Sequence, residues 1–199
     1  MDQVLAVVDS DFVQKIGEIR SRDPYELFCR LMKELNCIPV VHPYVMEHEL
    51  FNCELAKKLR DNGVLQIIEY EQFMPTTRKK QYESAFKDLY HILTIEEYGT
   101  EQELDNNIFT RHAKKSYGEI HSVLMASQMQ IPIFYSNDHS GKILCHRFRN
   151  LVAKNIQEIC LDLEQRENCS ITPKERKYLC HIRWYKKNEI GRASCRERV

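Results

Sequence analysis

Acidic residues stand in this 199-residue chain where a parallel sheet would collect them. Asp9 follows the apolar run Val4-Leu5-Ala6-Val7-Val8, and Asp138 closes Ser136-Asn137-Asp138 after Ile131-Pro132-Ile133-Phe134-Tyr135. Glu119 comes directly after Gly118, at the head of a segment with helical spacing. Glu47 and Glu49 lie in the first turns of a helix that follows Cys37-Ile38-Pro39-Val40-Val41. Four carboxylates gathered at one sheet edge repel, and each raises the pKa of its neighbours unless positive charge sits between them. A divalent cation is the economical resolution, and hard oxygen donors select Mg²⁺ or Mn²⁺ rather than zinc.

The elements that must position these acids alternate between strand and helix. Residues 4–8 suit a central strand covered on both faces. Asp23 is a cap and Pro24 the first turn of a helix with Leu27, Phe28, Leu31, Met32 and Leu35 at helical spacing. A second helix starts at Pro43, carries Val45, Leu50, Leu55 and Leu59 on its apolar side, and stops at Asn62-Gly63. Residues 64–68 read as a strand. A long helix runs from about Thr76 to Glu97 and ends at Gly99, and residues 100–117 form a polar loop or short-helix region. A compact helix, Glu119 to Met129, feeds a strand over 131–135, where Pro132 is tolerated near the start. Further helices are expected over 148–163 and, after a turn at 168–172, from Pro173 to about Lys187.

Strand, helix, strand at these spacings is the signature of an α/β protein, a three-layer α/β/α fold with a central, mainly parallel sheet. Ligands of such sheets bind outside the carboxyl ends of the strands, where Asp9 and Asp138 stand. Residues 1–150 form the core, with a helical insertion over about 71–117. Residues 151–190 form a C-terminal helical extension whose last helix is basic: residues 170–199 hold nine Lys or Arg against three Glu. Residues 191–199 show no periodicity and read as a disordered or non-native tail.

Taken in order, Ala6-Val7-Val8-Asp9-Ser10-Asp11, a helical acid near position 49, Gly118-Glu119-Ile120-His121 and Ile133-Phe134-Tyr135-Ser136-Asn137-Asp138 resemble the PIN domain family. Its members are metal-dependent ribonucleases, including the toxins of many toxin–antitoxin pairs. The resemblance covers about residues 4–150. It implies that Asp9, Glu119 and Asp138 hold one or two Mg²⁺ or Mn²⁺ ions, with Ser10 orienting the first acid. It implies Glu49, followed by Leu50, as the fourth catalytic carboxylate, with Glu47 as the fallback. The implied reaction is hydrolysis of RNA phosphodiester bonds, leaving 3′-OH and 5′-phosphate ends. Arg111, His112, Lys114, Lys115, Lys142, His146 and Arg147 are candidates for the phosphate backbone. The implied partners are an RNA substrate, an antitoxin-like or other protein, and a second copy in a homodimer. The long middle section and the segment after 150 depart from the smallest, toxin-type members.

Other readings of the same residues stay open. Asp9, Asp11, Glu119 and Asp138 also suit helix and turn caps. Asp9-Ser10-Asp11 fits the Asp-x-Asp of a haloacid-type phosphatase, which leaves Gly118-Glu119 unexplained. A catalytically silent scaffold that binds RNA or protein would keep the fold and lose the metal. Histidines 42, 48, 121 and 139 are expected as packed or surface residues, because imidazole is a poor ligand for a hard cation.

Composition narrows the field further. Lys plus Arg and Asp plus Glu both number 29, so a uniformly basic nucleic-acid coat is excluded. Six Gly and six Pro exclude collagen-like and low-complexity chains. No Gly-x-Gly-x-x-Gly or Walker-type loop occurs. The eight cysteines contain no Cys-x-x-Cys pair and are expected as small buried hydrophobes; Cys160, Cys169, Cys180 and His181 fit no zinc template. No signal peptide and no run long enough to span a bilayer are evident, so a cytoplasmic location is expected.

Overall fold

The structure, a computed structural model, describes residues 3–20, 22–100, 102–104, 107–109 and 116–180. Five strands make one sheet: β1 Val4–Val8, β2 Cys37–Val41, β3 Gln66–Ile67, β4 Ile133–Tyr135 and β5 Val152–Lys154. Their order is β3-β2-β1-β4-β5, and every neighbouring pair is parallel. The helices are α1 Ser10–Gly17, α2 Pro24–Glu34, α3 Glu54–Asp61, α4 Tyr70–Phe73, α5 Lys79–Tyr98, α6 Tyr117–Gln128, α7 His139–Cys145 and α8 Ile156–Glu164, and residues 173–180 are also helical. Among the described residues no helix is long and apolar enough to cross a membrane.

Parallel strands need crossover helices, and these cover both faces of the sheet. Ala6, Val8, Val41 and Tyr135 pack on one side with Phe12 and Ile16 of α1, Phe28 and Leu31 of α2, Leu59 of α3 and Leu163 of α8. Val7, Val40 and Phe134 point the other way, into Phe86 and Leu93 of α5, Val123 and Leu124 of α6 and Leu144 of α7. This division explains why the strands read as continuous apolar runs rather than alternating ones. The expected fold class, three layers around a mainly parallel sheet, is the one observed.

Local signals placed several boundaries well. Asp23 caps α2 by accepting the Tyr25 N–H at 2.9 Å, with Pro24 in the first turn. Gly99 ends α5 with φ 72°, a conformation that costs glycine nothing. Two expected helices are corrected. The helix expected from Pro43 is broken: Val45–Glu49 is a π-helical turn, with the Leu50 N–H bonded to the Val45 carbonyl at 2.9 Å, and α3 begins only at Glu54. Val45, Leu50 and Leu55 are five apart, too wide for a 3.6-residue period. The helix expected over 148–163 is instead strand β5 followed by α8. Phe148, Leu151, Ile156 and Ile159 keep a helical rhythm across the strand, which hid it. Asn155 and Glu158 form a reciprocal capping box that fixes where α8 begins. The strand expected over 64–68 is only two residues long. Of the basic helix expected from 173 to 187, residues 181–187 lie outside the described residues, as do residues 191–199 and His181.

A buried polar chain ties α5 and α6 to the end of β2. The Tyr44 N–H donates to His42 Nδ1 at 3.0 Å, so neutral His42 carries its proton on Nε2 and donates it to Tyr82 Oη at 3.3 Å. The Tyr82 hydroxyl then donates to His121 Nδ1 at 2.8 Å, and His121 Nε2–H donates to the Ile108 carbonyl at 3.0 Å. Both histidines are fully buried, and that burial holds their pKa values down, His121 to about 3 and His42 well below its usual value. Tyr82→Phe leaves a buried donor on His42 and a buried acceptor on His121 without partners. The expected loss is about 2–4 kcal/mol of unfolding free energy, read by urea denaturation at neutral pH.

Candidate metal centre

Three helix N-termini meet above the carboxyl ends of β1 and β4, and each brings an acid. Asp9 is the N-cap of α1, Glu119 sits in the first turn of α6, and Asp138 is the N-cap of α7. The positive ends of the helix dipoles partly offset the crowding of negative charge. One oxygen from each of Asp9, Glu119 and Asp138 lies within 4.8 Å of the others, the only group among the described residues that could hold a metal ion. Asp9 and Glu119 are buried and Asp138 is exposed, so the cluster opens to solvent on one side.

Asp9 is held rigidly. Its Oδ1 accepts the Ser10 N–H at 2.8 Å and its Oδ2 accepts the Ser136 hydroxyl at 2.9 Å. Ser136 Oγ in turn accepts the Asp138 N–H at 3.1 Å, so one hydroxyl positions two of the three acids. The hydroxyl expected to orient Asp9 was that of Ser10; the side chain that does so is Ser136, and the Ser10 side chain bonds Glu49 instead. Gly141 makes room for this arrangement. A Cβ there would lie 2.9 Å from Phe134 Cε1 and 3.2 Å from Ser136 Oγ.

The π-helical turn decides between the two candidate glutamates. Glu47 is exposed, whereas Glu49 turns inward, where its carboxylate accepts the backbone N–H of Gly118 at the start of α6. Gln14 of α1 holds the turn from below, donating to the Glu49 carbonyl at 3.1 Å. Ser116, the N-cap residue of α6, has φ 76° and makes no side-chain cap bond, so Glu49 supplies the cap from another element. Asp11 is set apart from the cluster. It pairs with Lys15 at 2.8 Å and accepts the Asn137 N–H at 3.1 Å, which fastens the loop before Asp138 to α1. Of the other expected residues, Lys142 pairs with Glu158 at 2.7 Å and Arg147 with Glu96 at 2.5 Å. Arg111, His112, Lys114 and Lys115 lie outside the described residues.

Electrostatics match the geometry. Burial first, then the charges of Glu119, Asp11 and Glu49, push the Asp9 carboxyl well above the usual range. Burial, with Glu49 and Asp138 nearby, pushes Glu119 up to about 8. Glu49 is raised as well, chiefly by burial. A carboxyl whose folded pKa exceeds its unfolded one favours the folded state below the unfolded value and loses that contribution as pH rises through the folded value. His42 and His121 act in the opposite sense, and their effect levels off about one pH unit above the ordinary imidazole value of ~6.5. Between pH 6.5 and 8 the raised pKa of Glu119 works against the folded state. Metal-free protein is therefore expected to lose about 2 kcal/mol there through Glu119 alone. Thermal melts in EDTA should fall across this range, and millimolar Mg²⁺ or Mn²⁺ should restore them, most strongly at the alkaline end. A metal-free melting temperature that does not fall between pH 6.5 and 8 would refute this coupling.

The fold and site together define a doubly wound parallel α/β protein with a carboxylate cluster at its strand ends, able to coordinate a metal ion. No protein-family model, curated protein or solved structure matches the chain.

Proposed function

We propose that the chain is a divalent-metal-dependent endoribonuclease of the PIN-domain type. The observation that carries this reading is the convergence of Asp9, Glu119 and Asp138 oxygens within 4.8 Å of one another. Octahedral Mg²⁺ holds oxygens at 2.0–2.1 Å, so opposite ligands sit about 4.2 Å apart and the three carboxylates fit with small adjustments or a bridging water. Their all-oxygen character and upward-shifted pKa values suit a hard cation that keeps them ionised. Bound there, a divalent cation supplies charge neutralisation at phosphoryl oxygens and acidification of a water molecule. Asp9, fixed by Ser136 and Ser10, and Glu119, beside the Ser140 hydroxyl at 3.3 Å, set the buried wall of the site. Asp138 closes its solvent side. Glu49, anchored on the Gly118 N–H, would orient a water molecule or help to hold a second ion.

A cleft of about 520 Å³ along α7, the helix that Asp138 begins, is lined by His139, Lys142, His146 and Arg147 with Glu96 and supports an approach path for phosphates. Lys142 and Arg147 would exchange their present carboxylate partners for the backbone of the strand. The test is incubation of the folded protein with a mixed single-stranded RNA pool in Mn²⁺ or Mg²⁺, with EDTA and a parallel DNA pool as controls. Metal-dependent RNA cleavage leaving 5′-phosphate ends is the expected result. A folded protein that neither binds the metal nor cuts either pool overturns the proposal and leaves a silent scaffold.

A further inference from the structure

The π-helical turn that sends Glu49 toward the acid cluster brings Glu47 and His48 to a second cleft of about 410 Å³. Glu47 and His48 line one side of it, Tyr70 and Phe109 give it aromatic surfaces, and Thr76 and Lys79 stand at its edge. The Tyr70 and Phe109 rings meet edge to face, with centroids 5.8 Å apart and planes at 83°. Lys79 Nζ lies 5.9 Å from the centre of the Phe109 ring. The acid cluster and this cleft thus share one helical turn, Val45–Glu49.

We propose that this cleft is a nucleobase subsite for an unpaired nucleotide next to the bond that is cut, selecting a base that carries an amino group. The inference rests on the nuclease reading for the position of the scissile phosphate, and names what lies beside it. Aromatic faces bind unstacked bases without regard to identity. Identity comes from the polar rim, where Glu47 is a pure hydrogen-bond acceptor. Guanine presents N1–H and N2–H side by side, a match for both oxygens of one carboxylate. Adenine and cytosine each offer one amino group. Uracil offers a single N–H flanked by two carbonyl oxygens that face the carboxylate unfavourably. Lys79 has the charge and reach for the adjoining phosphate.

The experiment is fluorescence anisotropy of the full chain in EDTA, where no cutting occurs, with a short labelled oligouridine and the same oligomer carrying one guanosine, adenosine or cytidine. Guanosine is expected to bind most tightly and all-uridine least. Tyr70→Ala should weaken every oligomer by about 5- to 150-fold, the range expected for one lost base stack. Glu47→Gln should abolish the preference for guanosine and tighten all-uridine binding, because the carboxylate that faces uracil's carbonyl oxygens unfavourably is gone. Phe109→Leu, which keeps the apolar volume, guards against a folding defect in Tyr70→Ala and should weaken binding in the same direction. Equal binding of all four oligomers, or unchanged affinity in both aromatic variants, overturns the subsite. Metal-dependent cleavage that persists with that outcome leaves the nuclease standing without the subsite. Selective binding with no cleavage in any metal leaves the subsite standing without the nuclease.

Discussion

Replacing Asp9 with Asn is expected to cost more than ~100-fold in metal-dependent RNA cleavage, because groups that merely orient a metal ligand already cost 10- to 100-fold when removed. Asp9 is the most deeply enclosed of the three converging acids, and both of its oxygens accept a hydrogen bond, from Ser10 and Ser136. Asn keeps the shape and one acceptor oxygen, so the Ser136 hydroxyl or the Ser10 amide retains a partner and the fold survives. What it removes is the negative charge. The same variant should be more stable than the parent when both are metal-free above pH 7, because burial and the neighbouring acids disfavour the Asp9 carboxylate there. Paired melts in EDTA, with metal titrations by calorimetry, read both effects. Cleavage within a few-fold of the parent's would remove Asp9 from the site. A variant that melts lower than the parent would mean that Asp9 serves as a cap rather than as a strained ligand.

Gly118→Ala is the second large effect. An added Cβ would lie 2.2 Å from Glu49 Oε1 and 2.6 Å from Glu49 Cδ. The Glu49 carboxylate must leave the α6 N-terminus, taking with it the bond from the Gly118 N–H and its contribution to the site. Overpacking of this kind costs about 1–3 kcal/mol, against a gain of about 1 kcal/mol from alanine in a helix. Cleavage should fall at least ~10-fold. The sign of the stability change can be reversed. In a Glu49→Ala background the obstruction is gone, and Gly118→Ala should become stabilising by up to ~1 kcal/mol. Urea denaturation of the two single variants and the double variant completes the cycle. Additive losses would show that the two residues do not touch in solution.

Much of this architecture was legible in the residues themselves. Strands buried on both faces announce themselves as apolar runs, and Val4–Val8 and Ile133–Tyr135 did so, each followed by an acid. The helix ends were equally plain where a cap is a local matter, as at Asp23-Pro24 and Gly99. What stayed hidden was set by contacts distant in sequence. Strand β5 carries three residues of mixed character, and only pairing with β4 makes them a strand. The π-helical turn follows from a five-residue apolar spacing, easily absorbed into a regular helix with Leu59. Ser136 was quoted as part of a motif, yet its partner Asp9 lies 127 residues away. Glu47 and Glu49 cannot be told apart without the wide turn, which exposes one and turns the other toward Gly118. Asn155 and Glu158 are the exception: their capping box was a local signal for the start of α8.

The central place of β1 in the sheet has a consequence for synthesis. A chain emerging from the ribosome presents the first acid of the cluster at residue 9, but the strand that must lie beside it, β4, arrives more than a hundred residues later. Until then Asp9 has neither Ser136 nor Asp138 near it, and any product that stops before residue 138 lacks one of the three converging acids. Non-local pairing of this kind also folds slowly. The nascent protein is therefore inert by topology, and any chemistry it performs switches on only after nearly the whole sheet has closed.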